Sequence, residues 1–364
     1  MSMTRDPAWL QAQALERAAT LPAAAYTDPA IARIEREAVF ARHWQLVARA
    51  DQVRDPGDHA VAEIAGLPLL IVRGEDGTLR ALHNVCRHRA GPLASCDGRG
   101  AKALRCQYHG WTYRLDGSLR SAPEMDDAPD FDIAAIRLPQ ARVAEWQGLV
   151  FTALADAPPL SVVLDGIDAR ITGHPIAGYV LDRRRSYEIA CNWKVYVDNY
   201  LEGYHVPHIH PALNRMLDYR SYTTTLAAWH SLQFSPLESS ASLYGNGDAL
   251  YYFVWPNIML NILPGRLQSN RVVPLAPDRC RVDFDYFYPP DAIDEARRQQ
   301  DEMFSDEVQH EDIAICERVQ YRLASGSYAT GRLNPKRESG VWHFHELYRR
   351  ALRAGAELPS CASC

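Results

Sequence analysis

Apolar residues change their rhythm along this chain, and the changes divide it into three stretches. Over residues 1–42 they recur at helical spacing, most clearly in Pro29-Ala-Ile-Ala-Arg-Ile-Glu-Arg-Glu-Ala-Val-Phe, where Pro29 suits a first helical turn. From about 45 to 154 the period drops to two. Runs at Gln45–Arg49, His59–Ile64, Pro68–Val72, Leu79–Asn84, Ala103–Cys106, Trp111–Leu115 and Leu149–Leu154 read as strands, separated by turn sequences such as Asp55-Pro56-Gly57 and Glu75-Asp76-Gly77. This predicts a small all-β domain. Ala155-Asp156-Ala157-Pro158-Pro159 marks its end, and the pattern beyond it is mixed. A strand is expected at Tyr187–Ile189, long β runs at Leu250–Ile262, Gln268–Pro274 and Cys280–Tyr288, and helices over Asp291–Val319 and Val341–Ala354. A sheet with helices packed on it is the α+β pattern. The expected organisation is therefore helices over 1–44 packing on the C-terminal domain, an all-β domain over 45–155, and an α+β domain over 156–364.

Composition narrows the class. The 364 residues are 47% apolar and 23% charged, with a net charge of −6 spread along the chain. That is the profile of a globular protein, with no basic stripe for nucleic acid and no polybasic membrane anchor. No apolar run reaches membrane-spanning length, and the first residues lack the apolar core of a signal peptide, so a cytoplasmic protein is expected. Eight cysteines in a chain this long do not make a disulfide scaffold and favour metal-binding or structural roles.

The chemistry concentrates in two places. Between Asn192 and His210, Asp198, Glu202 and His205 stand at i, i+4 and i+7, which on one continuous helix places them on one face. Pro207 breaks that helix, and the bend is expected to swing His210 back beside His205. Two histidines and one carboxylate from elsewhere make the facial set that holds non-haem Fe(II) with open positions. The second place is Cys86-Arg87-His88 followed by Cys106-Gln107-Tyr108-His109. Two thiolates and two imidazoles, each pair in a tight loop, suit tetrahedral zinc or a Rieske [2Fe–2S] cluster. The loops project from a β domain far larger than a minimal zinc module, which favours the cluster.

The text around these ligands, Asn84-Val85-Cys86-Arg87-His88-Arg89-Ala90 and Cys106-Gln107-Tyr108-His109-Gly110-Trp111, resembles the Rieske fingerprint. Together with the Asp198/Glu202/His205/His210 series, the chain resembles the oxygenase (α) component of the Rieske non-haem iron oxygenases. The resemblance implies a fold of a Rieske domain followed by a helix-grip catalytic domain, an antiparallel sheet packed by helices. It implies one [2Fe–2S] cluster held by Cys86, His88, Cys106 and His109, and one Fe(II) held by His205, His210 and a late aspartate. Val308-Gln309-His310-Glu311-Asp312 is the matching text, with Asp312 the ligand and Asp306 and Glu311 its competitors. Glu202, with Asp198 one turn before it, takes the place of the family's carboxylate that bridges the iron-bound histidine of one subunit to a cluster histidine of the next, here His109. Gly91 and Tyr108 stand where respiratory Rieske proteins carry extra cysteines, so the cluster resembles the lower-potential kind of soluble oxygenases. Cys96 is expected to be structural, His208 and His310 to lie outside the ligand set, and the Cys361/Cys364 tail to be unstructured.

Glutamate in the bridging place and the run Tyr252-Phe253-Val254-Trp255-Pro256-Asn257 resemble the branch that acts on quaternary amines: carnitine, choline and glycine betaine monooxygenases and stachydrine demethylase. The resemblance implies an O2- and NAD(P)H-dependent oxygenase for a small quaternary or tertiary amine, with an aromatic acid as the alternative substrate class. It further implies electrons from a separate flavin/[2Fe–2S] reductase or ferredoxin, and a homotrimer. Because a quaternary ammonium is recognised by aromatic faces, Tyr200, Tyr204, Trp229, Tyr252 and Trp255 are the expected substrate contacts.

Overall fold

The computed structural model describes residues 8–217, 219–237, 243–290 and 295–356. The chain forms two compact units: residues 40–158 make one, and the chain up to Val39 joins the chain from Pro159 onward to make the other.

The first stretch is less helical than its spacing predicts. Helices α1 (Ala23–Thr27) and α2 (Pro29–Glu35) form, the latter capped by Asp28, whose carboxylate accepts from Ala30 N–H, and opened by Pro29. Before them only single 3-10 turns occur among the described residues, at Ala8–Leu10 and Leu15–Arg17. The reason is tertiary: backbone groups here bond to distant partners instead of one turn away. Gln13 N–H donates to Glu346, Trp342 donates to the Gln13 carbonyl, and Thr20 N–H donates to the Gly331 carbonyl.

The unit of residues 40–158 holds β1 (Gln45–Arg49), β2 (His59–Ile64), β3 (Leu67–Arg73), β4 (Leu79–His83), β5 (Leu104–Arg105), β6 (Thr112–Tyr113), β7 (Leu119–Ser121), β8 (Gln140–Trp146) and β9 (Leu149–Ala153). They build a six-stranded sheet in the order β1-β9-β8-β4-β3-β2 and a small sheet β5-β6-β7. Strand β3 reads as an unbroken apolar run because both its faces are covered. Leu69 and Ile71 enter one core with Ala81 and Val150, whereas Leu70 and Val72 enter another with Cys86, Cys106 and Trp111.

The other unit continues with α3 (Leu160–Val163), α4 (Ile167–Arg170), β10 (Val180–Ile189), α5 (Trp193–Tyr200), α6 (Val206–Ile209), α7 (Pro211–Met216), β11 (Thr223–Leu226), β12 (His230–Leu237), β13 (Gly247–Val254), β14 (Ile258–Leu263), β15 (Arg266–Ala276), β16 (Arg279–Tyr288), α8 (Glu295–Leu323) and α9 (Ser339–Ala356). The strands form one antiparallel sheet, β10-β16-β15-β14-β13-β12-β11. The apolar run from Leu250 to Ile262 is two strands, parted by a turn at residues 255–257. Across five neighbouring strands, Gln233, Tyr251, Asn261, Gln268 and Tyr286 stand in register, a transverse polar row.

Helix α5, which leads into the first chemical motif, is tied to the early chain by a buried ion pair. Lys194 Nζ lies 2.5 Å from Glu35, and the same carboxylate accepts from Trp193 and Tyr348. Among the described residues, no helix is long and apolar enough to cross a membrane.

Candidate metal centres

Two loops of the β unit repeat one backbone design. Cys86 N–H donates to the Gly91 carbonyl and its own carbonyl accepts from Ala90; Cys106 N–H donates to the Trp111 carbonyl and its carbonyl accepts from Gly110. Ala90 and Gly110 both take left-handed backbone, at φ 57° and 76°. Each loop thus turns its thiol inward and carries its histidine to the outside: both cysteines are buried, His88 is exposed, and the His88 and His109 rings lie 4.5 Å apart. Trp111 stacks on His88 at 4.9 Å and Tyr113 reaches the Cys86 sulfur at 3.3 Å. A Cβ added at Gly91 would stand 2.7 Å from the Cys106 sulfur, so glycine keeps this cradle open. Two inner thiols and two outer imidazoles fit a Rieske cluster, in which Cys86 and Cys106 would hold one iron and His88 and His109 the other. The exposed Cys96 is outside this arrangement, and Cys361 and Cys364 lie outside the described residues.

In the other unit His205, His210 and Asp312 converge, each offering one ligand atom, all within 4.8 Å of one another. His210 Nε2 is 3.0 Å and His205 Nε2 3.8 Å from Asp312 Oδ1. Each imidazole is held from behind by a carboxylate: Glu202 lies 2.6 Å from His205 Nδ1, and Glu311 2.7 Å from His210 Nδ1. Such backing fixes the tautomer that presents Nε2 to a metal. Burial alone would lower the His210 pKa, but the hydrogen bonds and charges of Asp312 and Glu311 outweigh it and raise it. Asn199 Nδ2 donates to Asp312 Oδ1 at 2.6 Å, and Tyr196 donates to Gln309 one turn before Asp312. The set can hold one ion through two nitrogens and a carboxylate, with positions left open.

The local structure corrects the single-helix expectation. Helix α5 stops at Tyr200, and Leu201 is its C-cap. Glu202 then folds back, its carboxylate accepting Tyr204 N–H and His205 N–H, and Pro207 lies in the first turn of the new helix α6. Gly203 fits against the Tyr222 ring, where a Cβ would come within 2.9 Å. Glu202 and His205 meet through this turn instead of along a helix face. Asp198, still on α5, points elsewhere: it accepts from Tyr26 at 2.6 Å and pairs with His345 at 3.0 Å. It lines a separate cavity of about 450 Å³, which Glu202 and His205 also border. Asp306 accepts from Tyr187, His310 bonds the Asp306 carbonyl, and His208 is exposed. None of these three belongs to the convergent set.

A cavity of about 130 Å³ opens beside the three ligands. Of the aromatic residues expected to contact substrate, Tyr200 lines it. Tyr204 is exposed, Trp229 packs under Arg350, Tyr252 lines a different hollow beside His230, and Trp255 is buried against Phe344. The rings that do line it, besides Tyr200, are Tyr196, Tyr222, Tyr251, Phe284 and Phe304. Tyr251 and Tyr252 show why: adjacent residues on β13 face opposite sides of the sheet. Burial raises the phenol pKa of Tyr196, Tyr200 and Tyr222, and pushes Tyr251 up to about 12, so all four remain neutral rings. Sequence reading missed Asn199 and named Glu311 only as a competing ligand, whereas Glu311 stands behind His210 at Nδ1.

A β unit with paired Cys/His loops, joined to a helix-and-sheet unit with a His-His-Asp set beside a cavity, is the plan of an oxygen-activating iron enzyme with a built-in electron carrier. Residues 43–137 match the Rieske [2Fe-2S] domain family, and residues 176–354 match the ring hydroxylating alpha subunit (catalytic domain) family. The chain is 36% identical to the chloroplastic choline monooxygenase of Arabidopsis thaliana, over 93% of this chain and 84% of that one. It is 30% identical to the carnitine monooxygenase oxygenase subunit of Escherichia coli (strain K12), over 93% and 95%. A crystal structure of a quaternary ammonium Rieske monooxygenase with L-carnitine superposes at a TM-score of 0.83 and 27% identity, covering 94% of this chain and 99% of that one. The chain belongs to the Rieske non-haem iron oxygenases, as an oxygenase subunit with a [2Fe–2S] cluster and a mononuclear iron.

Proposed function

We propose that this oxygenase hydroxylates or N-demethylates a small quaternary or tertiary amine. The observation that carries the reading is the cavity: His205, His210 and Asp312 open onto a space of about 130 Å³ walled by six aromatic rings. A space of this order holds a benzene-sized molecule. A quaternary ammonium has no N–H to donate, and each neutral ring face contributes about 0.5–2 kcal/mol to holding it. The likeness to choline and carnitine monooxygenases supports the same class.

In this reading Cys86, Cys106, His88 and His109 hold the cluster, and His205, His210 and Asp312 hold the iron. With its metals bound, the centre supplies oxidation of a C–H bond by O2, consuming two electrons and two protons and releasing water. Where the oxidised carbon is an N-methyl group, the hydroxymethyl ammonium that results parts into formaldehyde, a proton and the demethylated amine. The chain's own residues position and exclude. Glu202 and Glu311 fix the two imidazoles, Asn199 fixes the Asp312 carboxylate, and the rings keep water from the substrate. Glu202 also borders the second cavity, which suits it to linking His205 with the cluster of a neighbouring subunit in a homotrimer. Electrons come from a separate NAD(P)H-dependent reductase, and a reducing compartment such as the cytoplasm suits the buried free thiols Cys191, Cys280 and Cys316.

The test is reductase-dependent O2 uptake with product analysis, including formaldehyde, for a panel of N-methyl ammonium compounds and arenes. Uptake with oxidation of the former supports the reading. Substrate-stimulated O2 uptake with arenes alone overturns it.

A further inference from the structure

The cavity is lined by aromatic rings and, along β15, by a cation and two amides. Arg266, Gln268 and Asn270 alternate along β15 and all three line the cavity that the metal set opens onto. They are connected: Arg266 donates to Gln268, and Gln268 donates to Asn270 at 2.8 Å. All three are buried. Arg266 Nε faces Asp301 at 3.0 Å, but that carboxylate also accepts from Tyr244 and Tyr288 and lies 3.9 Å from Arg183. Arg183 has nearer partners in Asp182 at 2.8 Å and Glu302 at 3.7 Å, so Asp301 serves chiefly Arg266. Burial opposes the charge on Arg266, yet Tyr244 and Asp301 outweigh it, and the side chain stays a cation.

We infer that Arg266, with Gln268 and Asn270, forms an anion subsite, so that the substrate is a zwitterion whose carboxylate lies on β15 while its ammonium lies among the rings. The inference rests on reading the cavity as the amine site. Arginine offers five N–H donors in a planar fork suited to a carboxylate, and here only its Nε edge is turned to Asp301. Gln268 and Asn270, bonded to Arg266 and to each other, hold that guanidinium in place on the buried wall. An amino alcohol, which has the cation but no anion, leaves this wall unanswered. The subsite therefore separates carboxylate-bearing amines from choline-like ones.

The test compares three compounds sharing one trimethylammonium group: a betaine-type acid, its neutral amide, and the corresponding alcohol. With the intact enzyme, kcat/KM from substrate-dependent O2 uptake coupled to product formation should favour the acid about ten- to a hundredfold, the scale of a lost charge-assisted hydrogen bond. In Arg266→Gln, the acid should lose about tenfold more than the amide does. Equal kcat/KM for acid and amide in the intact enzyme overturns the subsite and leaves the amine reading standing. Equal losses for both compounds in Arg266→Gln also overturn it. If no trimethylammonium compound is turned over, both readings fall together. Should Arg266→Gln fail to fold, the comparison on the intact enzyme decides alone.

Discussion

Glu311 lies 2.7 Å from Nδ1 of His210, on the side of the ring opposite Asp312. Two acidic residues adjacent in sequence therefore grip one imidazole from both ends. Helix geometry explains how neighbours manage this. Glu311 and Asp312 leave α8 in directions about 100° apart, and the buried His210 ring fits between them.

Removing the outer grip should loosen the metal. In Glu311→Gln the amide can still touch Nδ1, but it no longer holds the ring by a charge. Iron affinity at the mononuclear site should fall about ten- to a hundredfold, as for other carboxylates that back a ligating histidine. Iron titration of the metal-stripped protein measures this, and unchanged affinity would show that Glu311 is a bystander.

Glu202→Gln should behave differently. Glu202 borders both cavities and sits on His205 Nδ1 at 2.6 Å. Iron should bind more weakly, as for Glu311, yet at saturating iron both metal centres should be loaded and the cluster reducible, while turnover drops about a hundredfold or more. Loss of mononuclear iron even at saturation would make Glu202 a requirement for binding and remove it from electron coupling.

Gly91→Ala targets the cluster loop alone. The added methyl would stand 2.7 Å from the Cys106 sulfur and 3.2 Å from Tyr108 Cβ, distances the loop cannot absorb without shifting. The visible absorbance of the cluster per chain should fall, with iron at His205, His210 and Asp312 retained. A full cluster content in this variant would mean that the loop has room for the methyl group.

Glu35→Gln leaves the fully buried Lys194 ammonium without its counter-ion. Breaking one side of such a pair should cost about 3–5 kcal/mol. Burial already lowers the Lys194 pKa, so part of the response can be deprotonation of the lysine. Denaturant unfolding reads the loss, and a change below about 1 kcal/mol would contradict the pair's importance.

His343 on α9 makes stability depend on pH. Burial pushes its pKa down to about 4; the Ala227 backbone bond works the other way, and His230 and Arg350 push it further down. The unfolded chain, with an ordinary histidine near about 6.5, binds more protons between these two values. The contribution to stability is therefore complete above about 6.5 and drains away as pH falls toward about 4, by on the order of 3 kcal/mol. His343→Gln should flatten the unfolding free energy over this window relative to the parent protein. Parallel pH curves for the two would refute the assignment.

The Cys/His loops and the approach of His210 to His205 were legible in the sequence because they are local; Asp312, distant in the chain, came only from the resemblance. Cys86-x-His88, Cys106-x-x-His109 and the His205/His210 pair each fit within one loop or turn. The cavity walls were not, because they depend on strand register. Strand β12 shows the difficulty: Ser231, Gln233 and Ser235 face inward and are buried, while Leu232 and Phe234 are less so, inverting the usual pattern. A polar-in strand reads as a loop. The same inversion hid Gln268 and Asn270, and it led to Tyr252 where Tyr251 lines the site.

The unit that holds the iron set is assembled from both ends of the chain, with the β unit spliced into it. Glu35 finds Lys194 only after the whole β unit has been made, and finds Tyr348 only once α9 has followed. Residues 40–158, whose strands pair only with one another, can close as soon as they leave the ribosome. During translation the electron-carrying unit is thus complete while α1 and α2 still wait for their partners. The early helices spend that interval as a tethered, unpaired segment, and a chain stopped before α9 would carry a folded cluster domain and no catalytic one.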